Sequence, residues 1–256
     1  MRLTVVGSGT AAPEPERVCS GYFVEAAGTR LLMDCGPGVV HHLARFGLRW
    51  DFLDHLLLTH FHTDHIGDIP MLLFAMKWGV RESRHRPLGI WGPAGLGDRL
   101  RHMAGAFGDH VADPGFPIEI RELEPGQGAV AGDVAIGTIR TPHTDTSLAY
   151  RLEHDGATLG YTGDTGPSDD VARFLAGTDT LIAECSLPDD EAIDTHLTPS
   201  RLAAMASAAS PARLIVTHVY PQLAPRDLPR LLREAGWTGR TLRAEDGLAL
   251  EVAPDR

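Results

Sequence analysis

Thr59-His60-Phe61-His62-Thr63-Asp64-His65 is the stretch on which the reading of this chain turns. It gathers three imidazoles and a carboxylate directly after Leu56-Leu57-Leu58, an apolar run that reads as a buried strand. A strand ending in such a loop delivers several donor atoms to one place. Neutral imidazole and carboxylate are donors that zinc accepts, and an end-of-strand loop can aim them at one ion.

Upstream, Leu3 to Val6 reads as a strand, and Gly7-Ser8-Gly9-Thr10-Ala11-Ala12 fits the loose dinucleotide fingerprint G-x-G-x-x-A. That fingerprint needs a helix to open at this point, and Pro13 and Pro15 prevent one. A Gly-rich turn near an active site is expected instead. Tyr22 to Glu25 and Leu31 to Met33 form a hairpin pattern, and Asp34 stands at the strand end before Gly36-Pro37-Gly38. Two roles fit Asp34, a carboxylate that orients a ligand histidine or a helix cap.

Downstream, residues 66 to 78 predict a half-buried helix, followed by a basic patch from Arg81 to Arg86. The patch fits a solvated loop or a contact to an anionic substrate. Strand patterns then cover 118–123, 134–140, 148–152 and 158–161. Helical spacing at 169–175 and 200–209 alternates with strands at 180–183 and 214–217, before a helix at 225–235 and a strand at 248–252. Both halves carry strands and then helices, so two similar β-then-α halves sharing a core are expected.

At 256 residues and 43% apolar content, a single domain over residues 1–256 is expected. A formal charge of −11 argues against broad contact with nucleic acid, which needs massed Lys and Arg. Cys19, Cys35 and Cys185 never form a Cys-x-x-Cys pair, which excludes a thiolate zinc site of that pattern and fits a reducing compartment. No stretch approaches the 18 or so apolar residues of a membrane span, so a soluble, cytoplasmic protein is expected.

Beyond the opening cluster, four polar residues stand where strands end. His143 follows the strand to Arg140, Asp164 sits in Gly163-Asp164-Thr165, and His218 follows Leu214-Ile215-Val216-Thr217. His196 lies in Asp194-Thr195-His196-Leu197-Thr198. Any one alone reads as a cap or surface residue. With the cluster, His143, Asp164 and His218 complete seven nitrogen and oxygen donors, enough for two divalent metal ions that share one carboxylate.

His-x-His-x-Asp-His, a distant His, Gly-Asp-Thr, and Thr-His after an apolar strand resemble, in that order, the metallo-β-lactamase superfamily. The resemblance covers residues 3 to 252 and implies an α/β (α+β) fold, the αββα four-layer sandwich. It implies that His60, His62 and His143 hold one metal, Asp64, His65 and His218 the other, and Asp164 bridges them. Zinc suits these donors, and manganese and iron accept the same set. An anionic bridge offsets the repulsion between two cations, and a metal-held water loses its proton near neutral pH to become the nucleophile.

His196-Leu197-Thr198, Asp34-Cys35-Gly36 and Trp91-Gly92-Pro93 are similar to the ribonuclease Z-like phosphodiesterase branch. There the resemblance places His196 beside the metals, steadying a phosphoryl oxygen or protonating a leaving alkoxide. A neighbour of a helix cap before Pro199 is the plainer role. Asp64 and His196 are therefore the residues assigned to catalysis. Ribonuclease Z proper carries a tRNA-gripping arm between the third ligand motif and the bridging Asp, whereas His143 and Asp164 are 21 positions apart. A compact, armless enzyme for a small anionic phosphodiester is expected, with a 3′,5′-cyclic nucleotide as the leading candidate and tRNA disfavoured. Lactone, carboxylic ester or sulfate ester hydrolysis, or ribonuclease Z-type RNA 3′-end processing, is the alternative, and the resemblance also implies a homodimer.

Overall fold

A computed structural model describes residues 1–80, 82 and 84–254; Arg81 and Ser83 of the basic patch lie outside the described residues. The first half runs β1 (Arg2–Gly7), β2 (Gly21–Ala26), β3 (Thr29–Met33), α1 (Val39–Arg45), β4 (His55–Leu57), α2 (Thr63–Ile66), α3 (Ile69–Trp78), β5 (Leu88–Gly92), α4 (Leu96–Phe107) and β6 (Ile118–Glu122). The second runs β7 (Ala129–Ala131), β8 (Val134–Arg140), β9 (Leu148–His154), β10 (Ala157–Tyr161), α5 (Asp169–Phe174), β11 (Thr180–Glu184), α6 (Pro199–Ala209), β12 (Leu214–Thr217), α7 (Leu228–Glu234), β13 (Thr241–Arg243) and β14 (Ala249–Glu251).

Among the described residues these strands make two seven-stranded sheets, ordered β14-β1-β2-β3-β4-β5-β6 and β13-β12-β11-β10-β9-β8-β7. Each sheet is antiparallel at one side and parallel at the other, changing at β3 and at β10. The helix expected over 66–78 is two helices, α2 and α3, separated at Gly67 and Asp68. Strands β7 and β13, three residues each, were not expected; they are edge strands too short to show a period.

Why the central strands read as continuous apolar runs is visible in their packing. Tyr22, Val24, Leu31, Met33, Ile182 and Ile215 face the layer between the sheets. Their neighbours Phe23 and Leu32 face α1, α3 and α4, and Leu181 and Leu214 face α5, α6 and α7. Both faces are covered, so successive side chains of these central strands are all buried, whereas β7 and β8 toward one edge alternate. The result is the αββα sandwich. Truncating one of these leucines to alanine costs about 2 to 5 kcal/mol.

Tyrosines tie the two sheets together where the parallel strands end. The Tyr150 hydroxyl donates to the Leu58 carbonyl at 2.6 Å, Tyr161 donates to Asp34 at 2.7 Å, and Tyr22 meets Thr217 Oγ1 at 2.6 Å. The Leu148 N–H adds a backbone bond to Thr59 at 2.9 Å. These bonds hold the loops of both halves in one register. Among the described residues, no helix is long and apolar enough to cross a membrane.

Candidate metal centre

The loop after β4 carries His60, Phe61 and an extended His62, then turns into α2, whose first turn carries Asp64 and His65. The His60 and His62 rings lie 4.6 Å apart at 82°, while Phe61 packs against the helical layer of this half. The structure brings His60, His62, His143 and Asp164 together, each offering a donor atom within 4.8 Å of the others. Asp64, His65 and His218 form a second such group, and His196 joins Asp164 and His218 in a third.

Asp164 lies between the first two groups, with one oxygen toward each. Its Oδ2 is 3.7 Å from His60 Nε2 and 3.6 Å from His143 Nε2. Its Oδ1 is 3.3 Å from His65 Nε2 and 3.7 Å from His218 Nε2. Asp64 Oδ2 is 3.3 Å from His218 Nε2.

The donor set fits a cation. His60 Nε2, His65 Nε2 and Asp164 Oδ1 are buried without a hydrogen-bond partner. Buried polar atoms without partners are rare and costly, and here they point into one space. His65 and Asp164 are close but not aligned as a hydrogen bond. Burial, with repulsion from His65, lowers the His60 imidazole well below its ordinary value, and burial lowers His143. Both are thereby kept neutral with a lone pair to give. Burial would also lower His65, but Asp164 and Asp34 together raise it well above its ordinary value. Those carboxylates attract positive charge to this spot, whether proton or metal.

Asp34, fully buried and in the left-handed backbone region at φ 58°, holds this half of the site. His65 Nδ1–H donates to its Oδ2 at 2.8 Å, and Thr59 donates through N–H at 2.8 Å and through Oγ1 at 2.9 Å. With its only proton given to Asp34, the Thr59 hydroxyl accepts from His60 Nδ1 at 3.0 Å. One carboxylate thus orients two imidazoles and leaves both Nε2 atoms without a protein hydrogen-bond partner. Of the two roles the sequence allows, orienting a histidine is the one Asp34 fills. Gly36 makes the turn possible, since a Cβ there would stand 1.9 Å from the Asp64 carbonyl oxygen.

The other half is held by Glu184, which sequence reasoning missed. Its Oε1 accepts His196 Nδ1–H at 2.8 Å and its Oε2 accepts the Ser186 hydroxyl at 2.5 Å. Ser186 Oγ in turn accepts from His218 Nδ1 at 3.0 Å. Burial would lower His196, but the hydrogen bond and charge of Glu184 raise it above its ordinary value. The His196 ring lies 4.8 Å from His143 and stacks at 5.9 Å and 14° on His218. It therefore borders both donor groups. Tyr220, also missed, sets its ring edge-on to His218 and His196. Burial, then the charges of Asp64, Asp164 and Glu184, push its phenol up to about 12.

The Gly-rich turn at residues 7 to 12 forms no helix, and the Ser8 carbonyl accepts the His218 N–H at 3.2 Å. It is a turn beside this site, as expected.

The model of the family described as "Beta-lactamase superfamily domain" matches residues 29–219. The chain belongs to this superfamily. Within it the chain falls in the ribonuclease Z-like branch. It is 29% identical to "Ribonuclease Z" of Mycobacterium bovis (strain BCG / Pasteur 1173P2) over 100% of both chains. It is 30% identical to that of Mycobacterium sp. (strain KMS) over 95% of this chain and 90% of the relative. Among solved structures, the metallo-β-lactamase fold protein YhfI from Bacillus subtilis superimposes with a TM-score of 0.83 at 26% identity, covering 97% of this chain and 98% of that one. Human tRNase Z, short form, gives 0.80 at 23% identity over 99% and 100%, a likeness of fold. A metal-dependent hydrolase with a compact sandwich follows from these matches and from the donor cluster.

Proposed function

We propose that this hydrolase is a dinuclear phosphodiesterase acting on a small phosphodiester, with a 3′,5′-cyclic nucleotide as the first substrate to try. The observation that carries the reading is His196. It borders both donor groups, and Glu184 occupies its Nδ1, so Nε2 is left for a substrate.

His60, His62 and His143 would hold one ion, Asp64, His65 and His218 the other, and Asp164 would span them, with zinc the first choice for these donors. Two such ions, when bound, acidify a water to near neutrality and offset phosphate charge. Asp34 and Thr59 keep His60 and His65 in the required orientations. Asp64, as a ligand of the second ion, would help hold the attacking water. As the phosphorus–oxygen bond breaks, the His196 Nε2 proton passes to the departing alkoxide, which leaves poorly without it. Glu184 stabilises the protonated imidazole beforehand.

The interval from His143 to Asp164 holds β9, β10 and turns, which leaves no room there for a tRNA-gripping arm. Free Cys19, Cys35 and Cys185 support a reducing cytoplasm. RNA 3′-end cleavage is the second reading, favoured by the relatives called ribonuclease Z. Metal-loaded protein is expected to turn over bis(p-nitrophenyl) phosphate and 3′,5′-cyclic nucleotides. No turnover of either with metals bound overturns the first reading, and cleavage of a 3′-extended RNA in that case installs the second.

A further inference from the structure

The chain contains four tyrosines, and three of them spend their hydroxyls inside the protein. Tyr220 is different. Its backbone is clamped on both sides: the N–H donates to Ser186 at 3.1 Å, and the carbonyl accepts from Leu223 at 3.0 Å and Ala224 at 2.9 Å. Its ring is set edge-on at 76° and 5.6 Å to His218, and at 67° and 6.5 Å to His196. The hydroxyl is near enough to Asp64, Asp164 and Glu184 for each charge to act on it. Yet among the described residues it has no hydrogen-bond partner.

A half-buried phenol held by its backbone and by two imidazoles is a donor whose direction is settled in advance. It stands on the His196 side of the site, two residues beyond His218. Preorganised donors contribute most where negative charge accumulates, because no reorientation is needed when it does. The oxygens of a phosphoryl group drawn to the two donor groups are such acceptors.

We propose that Tyr220 contacts the substrate, donating its O–H to a non-bridging oxygen of the phosphoryl group on the side from which the leaving oxygen departs. The proposal rests on the phosphodiester reading above. A hydrogen bond from a neutral hydroxyl to an anionic oxygen amounts to about 10- to 100-fold in binding or rate.

Tyr220→Phe removes the oxygen and keeps the ring against both imidazoles. In metal-loaded protein, kcat/KM for bis(p-nitrophenyl) phosphate should fall about 10-fold or more. Affinity for inorganic phosphate, measured by calorimetry, should weaken comparably, with metal content and melting temperature unchanged. Wild-type-like turnover and phosphate binding in the variant overturn the contact. So does a loss of metal, which would make Tyr220 a support for His218. If the wild type itself neither binds phosphate nor cleaves the diester, the phosphodiester reading fails first and takes the proposal with it.

Discussion

Asp34 and Glu184 are the two carboxylates on which the halves of the site hang, and they are used differently. Both are completely buried and both accept bonds from a backbone N–H, a hydroxyl and an imidazole. Asp34 orients His60 and His65, each a candidate ligand with no exposed surface. Glu184 orients one candidate ligand, His218, through Ser186, and holds directly a histidine that stands outside the two main donor groups. The first half is arranged to keep lone pairs pointing inward. The second does this for one imidazole and keeps a proton ready on another.

This division of labour can be broken experimentally. Asp34→Ala should have the largest effect, because it strands Thr59, His65 and Tyr161 as buried donors. The expected cost is about 3 to 5 kcal/mol, a fall in melting temperature on the order of 10 °C, with metal affinity reduced about 10- to 100-fold. Calorimetry and metal analysis read both. His196→Ala should retain metal and lose about 10²- to 10⁴-fold in kcat on diesters with an alkoxide leaving group. The loss should be smaller for p-nitrophenyl esters, whose phenolate departs without help. Equal losses on both would remove the leaving-group role. Glu184→Gln keeps an acceptor oxygen for His196 and deletes the charge, so a drop of about 10-fold in kcat with full metal content is expected. Should Glu184→Gln shed metal as Asp34→Ala does, the two carboxylates play one role and the comparison fails.

Much of the site was legible because the candidate ligands stand in loops after strand-like runs, and buried strands must end in loops where polar side chains can be accommodated. The same signal was present at Glu184, which closes the wholly buried run Thr180 to Ala183, but among its partners only Ser186 is close in the chain. His196 and the Leu197 N–H reach it only after the chain before α6 folds back. Tyr220 carries no sequence signal at all, since its place depends on a turn over His218. The two-half architecture was readable from repeated strand and helix patterns. Partners of the short edge strands were not, because three residues show no period and pairing is decided across the whole chain.

That last point bears on β14. Its residues belong by order to the second half, yet it pairs with β1 in the first sheet, Leu250 opposite Leu3, and the Met1 amine donates to the Val252 carbonyl at 2.9 Å. During synthesis the N-terminal sheet therefore keeps an open edge until about the 250th residue has left the ribosome. The nascent first half has its metal-donor loop but neither its edge strand nor Tyr150 and Tyr161, which brace it from the second half. A ribosome stalled before β14 should display a chain that is bound by chaperones and open to proteases until the final strand closes the sheet.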